Sequence, residues 1–141
     1  MKINLRPVTP KNWQDLAALK VTPEQEVFIA SNLRSIALCQ FKSEKIPLGI
    51  YNNDEPVGFA IIDLEDYDIS RFMIDYRYQS QGIGQAALER IIELFRIFGQ
   101  FSEAVTSVIP ENTAARRLYE KIGFRETGEM IGKEIIMKMS F

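Results

Sequence analysis

Gln79-Ser80-Gln81-Gly82-Ile83-Gly84 is the stretch on which the reading of this chain turns. It follows an apolar run, Phe72-Met73-Ile74, and opens an amphipathic one, Gln85 to Phe98. Strand, glycine turn and helix start in that order make an anion site. Gly82 and Gly84 carry no Cβ, so backbone can approach a ligand closely and a positive φ is allowed. The first N–H groups of a helix have no intrahelical acceptor and point outward at the positive end of the helix dipole. Phosphate fits there, so a phosphate-bearing cofactor is expected.

The chain has 141 residues, enough for one domain with a core of its own, taken as residues 1–141. Net charge is −2, from 17 basic and 19 acidic residues, which speaks against nucleic acid or an anionic membrane as partner. No apolar run reaches the ~18 residues of a membrane span, and the N-terminus lacks a signal-peptide pattern. Cys39 is the single cysteine, so no intrachain disulfide forms and a cytoplasmic setting is expected. There is no histidine. Ser-His-Asp and Cys-His catalysis are therefore excluded, and the usual zinc sites cannot be assembled, so no metal is expected. Acid–base chemistry falls to carboxylates, Tyr, Lys, water or the substrate.

Ile3 to Val8 reads as a first strand, with Pro7 suggesting a sheet edge. Thr9-Pro10 starts a helix with Trp13, Leu16, Ala17 and Lys20 on one face. Thr22 and Gln25 form the pattern of a capping box, and a second helix is expected from there to about Phe41, carrying Val27, Phe28, Leu33, Ile36 and Leu38. Cys39 near its end reads as core filler. Leu48 to Tyr51 and Val57 to Ile62 flank a turn, and a strand from Ser70 to Asp75 follows the acidic segment Asp63 to Asp68. After the glycine turn, Leu88, Ile91, Ile92, Phe95 and Phe98 recur at helical spacing and Gly99 ends the helix. Ala104 to Ile109 is a buried strand, Asn112 caps a short helix that Gly123 ends, and the last strands are Phe124 to Glu126 and Lys133 to Phe141. Ile135, Met137, Met139 and Phe141 share one face, which suggests a subunit contact in a homodimer or burial within one chain. The order β-α-α-β-β-β-α-β-α-β-β implies an α/β domain: a mixed central sheet with helices on both faces.

Gly82-Ile83-Gly84-Gln85-Ala86-Ala87 also fits G-x-G-x-x-A, a weak dinucleotide pattern when alone. The turn comes after several strands rather than the first, and Glu103 sits before the apolar part of the next strand instead of at its end. A Walker loop needs Gly-Lys-Ser/Thr, which is absent. A second constellation separates these readings. Asn112, Ala115 and Tyr119 lie at i, i+3, i+7 on one face of the short helix, with Ala114, Leu118 and Ile122 beside them. Gln79-x-x-Gly82-x-Gly84, followed by Asn112-x-x-Ala115-x-x-Leu118-Tyr119-x-x-x-Gly123-Phe124, resembles the GNAT superfamily of acetyl-CoA-dependent N-acetyltransferases.

That resemblance implies a GNAT-like fold and acetyl-CoA as cosubstrate. It implies that backbone amides from Gln81 through Gly82, Ile83 and Gly84 to Gln85 hold the pyrophosphate. The strand at Phe72, Met73 and Ile74 would pair with the pantetheine arm, Asn112 would bond it, and Tyr119 would be the general acid near the sulfur. Direct attack needs no enzyme nucleophile, consistent with the missing histidine. A thiolate of pKa about 8.5 can be protonated by a phenol of pKa about 10. A primary amine of pKa about 10.4 reaches its neutral form at pH 7 at a cost of about 4.6 kcal/mol, so a base is also needed.

Leu5 to Thr9, Val21 to Asn32 and Pro56 to Ala60 look like the bacterial spermine/spermidine acetyltransferase subgroup, implying a small primary amine, a polyamine or diamine, as acceptor. Glu24, Glu26 and Asp68 are the expected acceptor contacts, since spaced carboxylates suit a chain of positive charges. Protein amines, aminoglycosides and amino acids are the alternative acceptors, and a non-catalytic acetyl-CoA-binding module is the alternative role. The sequence departs from the subgroup in two places. Ser80-Gln81 replaces the common Gly-Lys of the phosphate turn, which shifts phosphate charge onto Arg77, Arg116 or Arg117. Ser70 and Arg71 stand where carboxylates occur in some polyamine enzymes, leaving Asp68 as nearest substitute.

Overall fold

Alternating side chains make strands here, and the computed structural model, which describes residues 1–141, joins seven of them in one sheet. In chain order the elements are β1 (Ile3–Pro7), α1 (Trp13–Ala18), α2 (Asn32–Cys39), β2 (Lys45–Asn52), β3 (Glu55–Asp63) and β4 (Asp68–Ile74). A 3-10 turn (Tyr76–Tyr78) leads to α3 (Ile83–Phe98), β5 (Glu103–Val108), α4 (Thr113–Ile122), β6 (Arg125–Ile131) and β7 (Glu134–Ser140). The sheet order is β1-β2-β3-β4-β5-β7-β6, and only β4 and β5 run parallel. The mixed sheet expected from the sequence is present, and β1, with Pro7, is an edge strand.

Helices cover both faces. On one, Leu16, Leu19 and Ile36 of the α1–α2 segment pack on Tyr51, Phe59, Ile61 and Met73. On the other, Ile83, Leu88, Ile91 and Phe95 of α3 pack with Tyr119, Phe124 and Met137 over the larger core. Met137 is fully buried and Phe141 stacks on Tyr67 at 6.2 Å. The apolar face of β7 is thus filled by the chain's own core, which removes the sequence argument for a subunit contact there.

Several boundaries differ from expectation: α1 begins at Trp13 and not at Pro10, β6 runs on past Glu126 to Ile131, and two further shifts have identifiable reasons. The Thr22–Gln25 capping box forms in both directions, at 3.2 and 3.3 Å, but it closes a turn and not a helix. Helix α2 begins ten residues later, where Ser31 accepts from the Arg34 amide at 3.2 Å. Buried Asn32 donates to the Leu16 and Leu19 carbonyls at 2.9 and 3.3 Å, tying α2 to the open end of α1. Val27 and Leu33, expected to face the core, are exposed. Strand β4 begins at Asp68, before the expected Ser70, and an irregularity in its pairing with β3 leaves Ser70 without a partner between Ile69 and Arg71.

Candidate active site

Parallel pairing of β4 with β5 is confined to Asp68 with Val105 and Ile69 with Thr106. Beyond Ile69 the strands diverge, and the edge of β4 from Arg71 to Ile74 has no strand partner on that side. A backbone edge with unmet donors and acceptors can pair with another extended amide chain. A cavity of about 350 Å³ opens beside this edge.

Most of the expected cofactor residues meet there. Phe72, Met73 and Ile74 of β4, Gln79, Gly82, Gly84 and Gln85 of the turn, and Asn112, Ala115 and Tyr119 of α4 all line the cavity. Gly82 has φ 82°, a left-handed conformation that only glycine takes at no cost, and a Cβ there would meet nothing nearer than Met1 at 4.0 Å. The open space is on the ligand side. The amides of Gln81, Gly82, Ile83, Gly84 and Gln85 donate to no group in the chain; the first bond of α3 is Ala86 N–H to the Gly82 carbonyl at 3.1 Å. Five consecutive free donors at a helix start form a cradle for phosphate oxygens. Gly84 has a different role: its Cβ position lies 3.1 Å from Leu118 Cδ2, so this glycine lets α3 approach α4.

Two expected cofactor side chains, Ile83 and Gln81, do not line the cavity, and Gln79, which does, is engaged within the chain. Ile83 is buried in the core, so only its amide is available. Gln81 is exposed and its side-chain amide donates to the Arg77 carbonyl at 3.3 Å. Gln79 donates to the Ile74 carbonyl and to Gln25 Oε1, both at 2.9 Å, bracing the turn against β4 and the Thr22–Gln25 turn. Asn112 caps α4 by accepting from the Ala115 amide at 3.4 Å, which leaves its own amide nitrogen free.

Of the three arginines expected to compensate for the missing turn lysine, Arg77 and Arg116 are engaged elsewhere, and Arg117 does not line the cavity. Arg77 donates to Asp75 at 2.8 Å, and Arg116 donates to Glu126 at 2.7 Å and to the Pro110 carbonyl at 3.0 Å. Lys121 is instead the charged residue lining the cavity. It lies at i+7 from Ala114 and i+3 from Leu118, one step round the helix from the apolar stripe in the sequence.

Tyr119 is 6% exposed, with its ring 5.5 Å from Phe124 and 6.5 Å from Phe72. Burial pushes its phenol up to about 12; the Thr106 hydroxyl opposes the shift, and the Asp68 and Glu134 carboxylates add to it. The phenol keeps its proton at any physiological pH.

On the far side of Tyr119 lies a second cavity, of about 480 Å³. It shares Ile29, Phe72, Asn112, Ala115 and Tyr119 with the first, so the two adjoin along these residues. Arg34, Arg71, Lys133 and Glu134 are its charged lining. None of the three expected acceptor carboxylates reaches it. Glu24 is exposed on the turn. Glu26 lines a separate space of about 330 Å³ beside Leu19 and Asn32. Asp68 accepts from the Ser70 hydroxyl and pairs with Lys45 at 3.5 Å. Glu134, which the sequence does not single out, is the carboxylate that faces this cavity. It lies in the β6–β7 hairpin, far along the chain from the other site elements, and no local pattern marks it.

The acetyltransferase (GNAT) family profile matches residues 13–124. A spermine/spermidine N(1)-acetyltransferase of Bacillus subtilis is 30% identical, over 98% of this chain and 99% of its own length. The crystal structure of an aminoglycoside acetyltransferase, AAC(6')-Ib, with coenzyme A superposes with a TM-score of 0.82 at 17% identity, covering 99% of this chain and 95% of that one. A spermidine N-acetyltransferase from Vibrio cholerae, solved with CoA and spermine, gives 0.74 at 15% identity, covering 98% and 95%. The chain belongs to the acetyltransferase (GNAT) family and is an N-acetyltransferase.

Proposed function

We propose that this enzyme moves acetyl from acetyl-CoA to a primary amine by direct attack, with Tyr119 as the acid beside the departing sulfur. The observation that carries the proposal is the junction of the two cavities at Tyr119, between the free β4 edge and α4. The residues present suit the cosubstrate: free amides from Gln81 to Gln85 for pyrophosphate, Lys121 for its charge, the β4 edge and the Asn112 amide nitrogen for pantetheine. When bound, acetyl-CoA supplies an acyl group activated as a thioester.

The amine nitrogen bonds to the acetyl carbon as the carbon–sulfur bond breaks, and sulfur leaves with the electron pair. Tyr119 donates a hydrogen bond to that sulfur. Its pKa of about 12 against about 8.5 for a thiolate makes complete proton transfer uphill by roughly 5 kcal/mol, so hydrogen-bond donation is its main contribution. Glu134 attracts the ammonium form and takes the proton whose loss frees the nitrogen lone pair for attack; the second proton, shed as the amide forms, ends on the departing thiolate, and the first passes from Glu134 to solvent.

The relatives make a polyamine or diamine the first acceptor to test, against which the charge of the second cavity is to be weighed. The test is a panel of polyamines, peptides and amino acids with acetyl-CoA, read by thiol release and by the mass of the acetylated product. Amine-dependent release is expected. Stoichiometric CoA binding with no release on any amine would make the chain a binding module and end the proposal.

A further inference from the structure

The cavity beyond Tyr119 carries the wrong sign of charge for a bare polycation. Arg34 of α2, Arg71 of β4 and Lys133 of the β6–β7 turn line it against one carboxylate, Glu134. No ion pair within 4.0 Å involves any of these four residues. Asp63 and Asp68, on the paired strands β3 and β4, are already answered: they share Lys45 at 3.4 and 3.5 Å. Arg71 is itself part-buried. One of its terminal nitrogens donates to the Ser70 carbonyl at 2.8 Å, while its Nε is shielded from solvent and bonds to nothing. The Ser70 carbonyl satisfies only one of the terminal donors of Arg71, so the guanidinium keeps free N–H groups at the cavity it lines. Guanidinium forks suit carboxylate and phosphate oxygens, and a polyamine would be repelled by the same groups.

Building on the acetyl-transfer reading, we infer that the acceptor is an amine that also bears an oxyanion, a carboxylate or a phosphate. The anion is held by Arg71 with Arg34 and Lys133, while Glu134 faces the amine beside Tyr119. Arg71 lies next to the irregular pairing at Ser70, and both residues line this cavity.

Matched amines test this. β-Alanine against β-alaninamide isolates the carboxylate, and phosphoethanolamine against ethanolamine isolates the phosphate; spermidine is the polycation control. Calorimetric titration of the protein, with and without CoA, reads binding independently of turnover. The anionic member of at least one pair is expected to bind about tenfold or more tightly than its neutral partner. The winning pair distinguishes the two oxyanions. Arg71→Met should remove that preference, and Lys133→Gln, at an exposed hairpin tip, should reduce it in a protein whose folding is not at risk. Equal binding within both pairs, or spermidine binding tightest with Lys133→Gln improving it, would overturn the inference. Thiol release on the same amines is scored separately: anion-selective binding with no release on any amine refutes the acetyl-transfer reading and not the selectivity.

Discussion

Tyr119 owes its role to its surroundings. A phenol between Phe72 and Phe124, away from water, holds its proton firmly and keeps an O–H to donate. Tyr119→Phe keeps the ring packing and removes the donor. Turnover should fall about 100-fold, the low end of general-acid effects, while the Kd for CoA moves less than about twofold. Stopped-flow thiol release and calorimetry check the two halves separately. Because the phenol titrates near 12, the wild-type rate should show no loss from this residue up to about pH 10. Gly82 is the other decisive residue. A β-branched side chain at φ 82° costs roughly 1–2 kcal/mol, and its Cβ points into the space a phosphate needs. Gly82→Val should abolish CoA binding in a protein that remains folded by circular dichroism; unchanged CoA titration would remove the turn from the site. Both residues are legible in the sequence because each belongs to a local motif whose spacing reports its geometry. Glu134 is not, since it joins the site only when the last hairpin folds over β5.

At the scale of elements, the site is a consequence of one parallel strand pair that stops early. β4 and β5 share two residue pairs and then part, leaving an edge on one side of Tyr119 and an apolar floor of α3 and α4 on the other. Contact between α3 and α4 depends on Gly84, whose missing Cβ leaves Leu118 in place. Gly84→Val should therefore cost about 1–3 kcal/mol in urea unfolding by overpacking this contact. Gly82→Val loses binding first and stability second, so the pair of variants separates a ligand-facing glycine from a packing one. β5, which alternates, β3, a continuous apolar run, and α3, with its helical spacing, are readable because a local pattern matches their burial. The Thr22–Ile29 segment departs from its apparent helical period because its capping box, though real, fixes only a first turn. The course of the chain beyond that turn is decided by tertiary bonds, the Asn32 clamp on α1 and the Gln25–Gln79 amide pair, which periodicity does not report. Three cations from α2, β4 and the last hairpin are likewise invisible as a cluster until the chain is folded.

Across the whole molecule, the absence of histidine shapes how stability responds to pH. No side chain of ordinary pKa changes charge between about pH 5 and 8, so folding free energy should be flat there. The acid limb belongs in large part to Asp75. Burial opposes ionisation of its carboxyl, but the Arg77 guanidinium and the amides of Lys20 and Arg77 outweigh it and hold the pKa below the usual range. A depressed folded pKa contributes stability that is present above the unfolded value of about 3.9 and is lost as pH falls through the folded one. Asp66, pushed upward mainly by burial, works in the opposite sense, yet it is exposed and solvent screens its effect. The alkaline limb belongs chiefly to buried Tyr119, whose raised pKa gives stability that is intact below about pH 10 and is lost as pH rises toward about 12; the Cys39 thiol, raised by burial, and the Tyr78 phenol, raised by its bond to Glu55, act in the same sense. Melting temperature against pH should thus be a plateau with two shoulders. Asp75→Asn is expected to lower the plateau, because the Lys20 and Arg77 donors lose a charged acceptor, and to flatten the acid shoulder. Tyr119→Phe should leave the acid shoulder alone and flatten the alkaline one. A Tyr119→Phe protein that keeps the full alkaline loss would show that another group governs it.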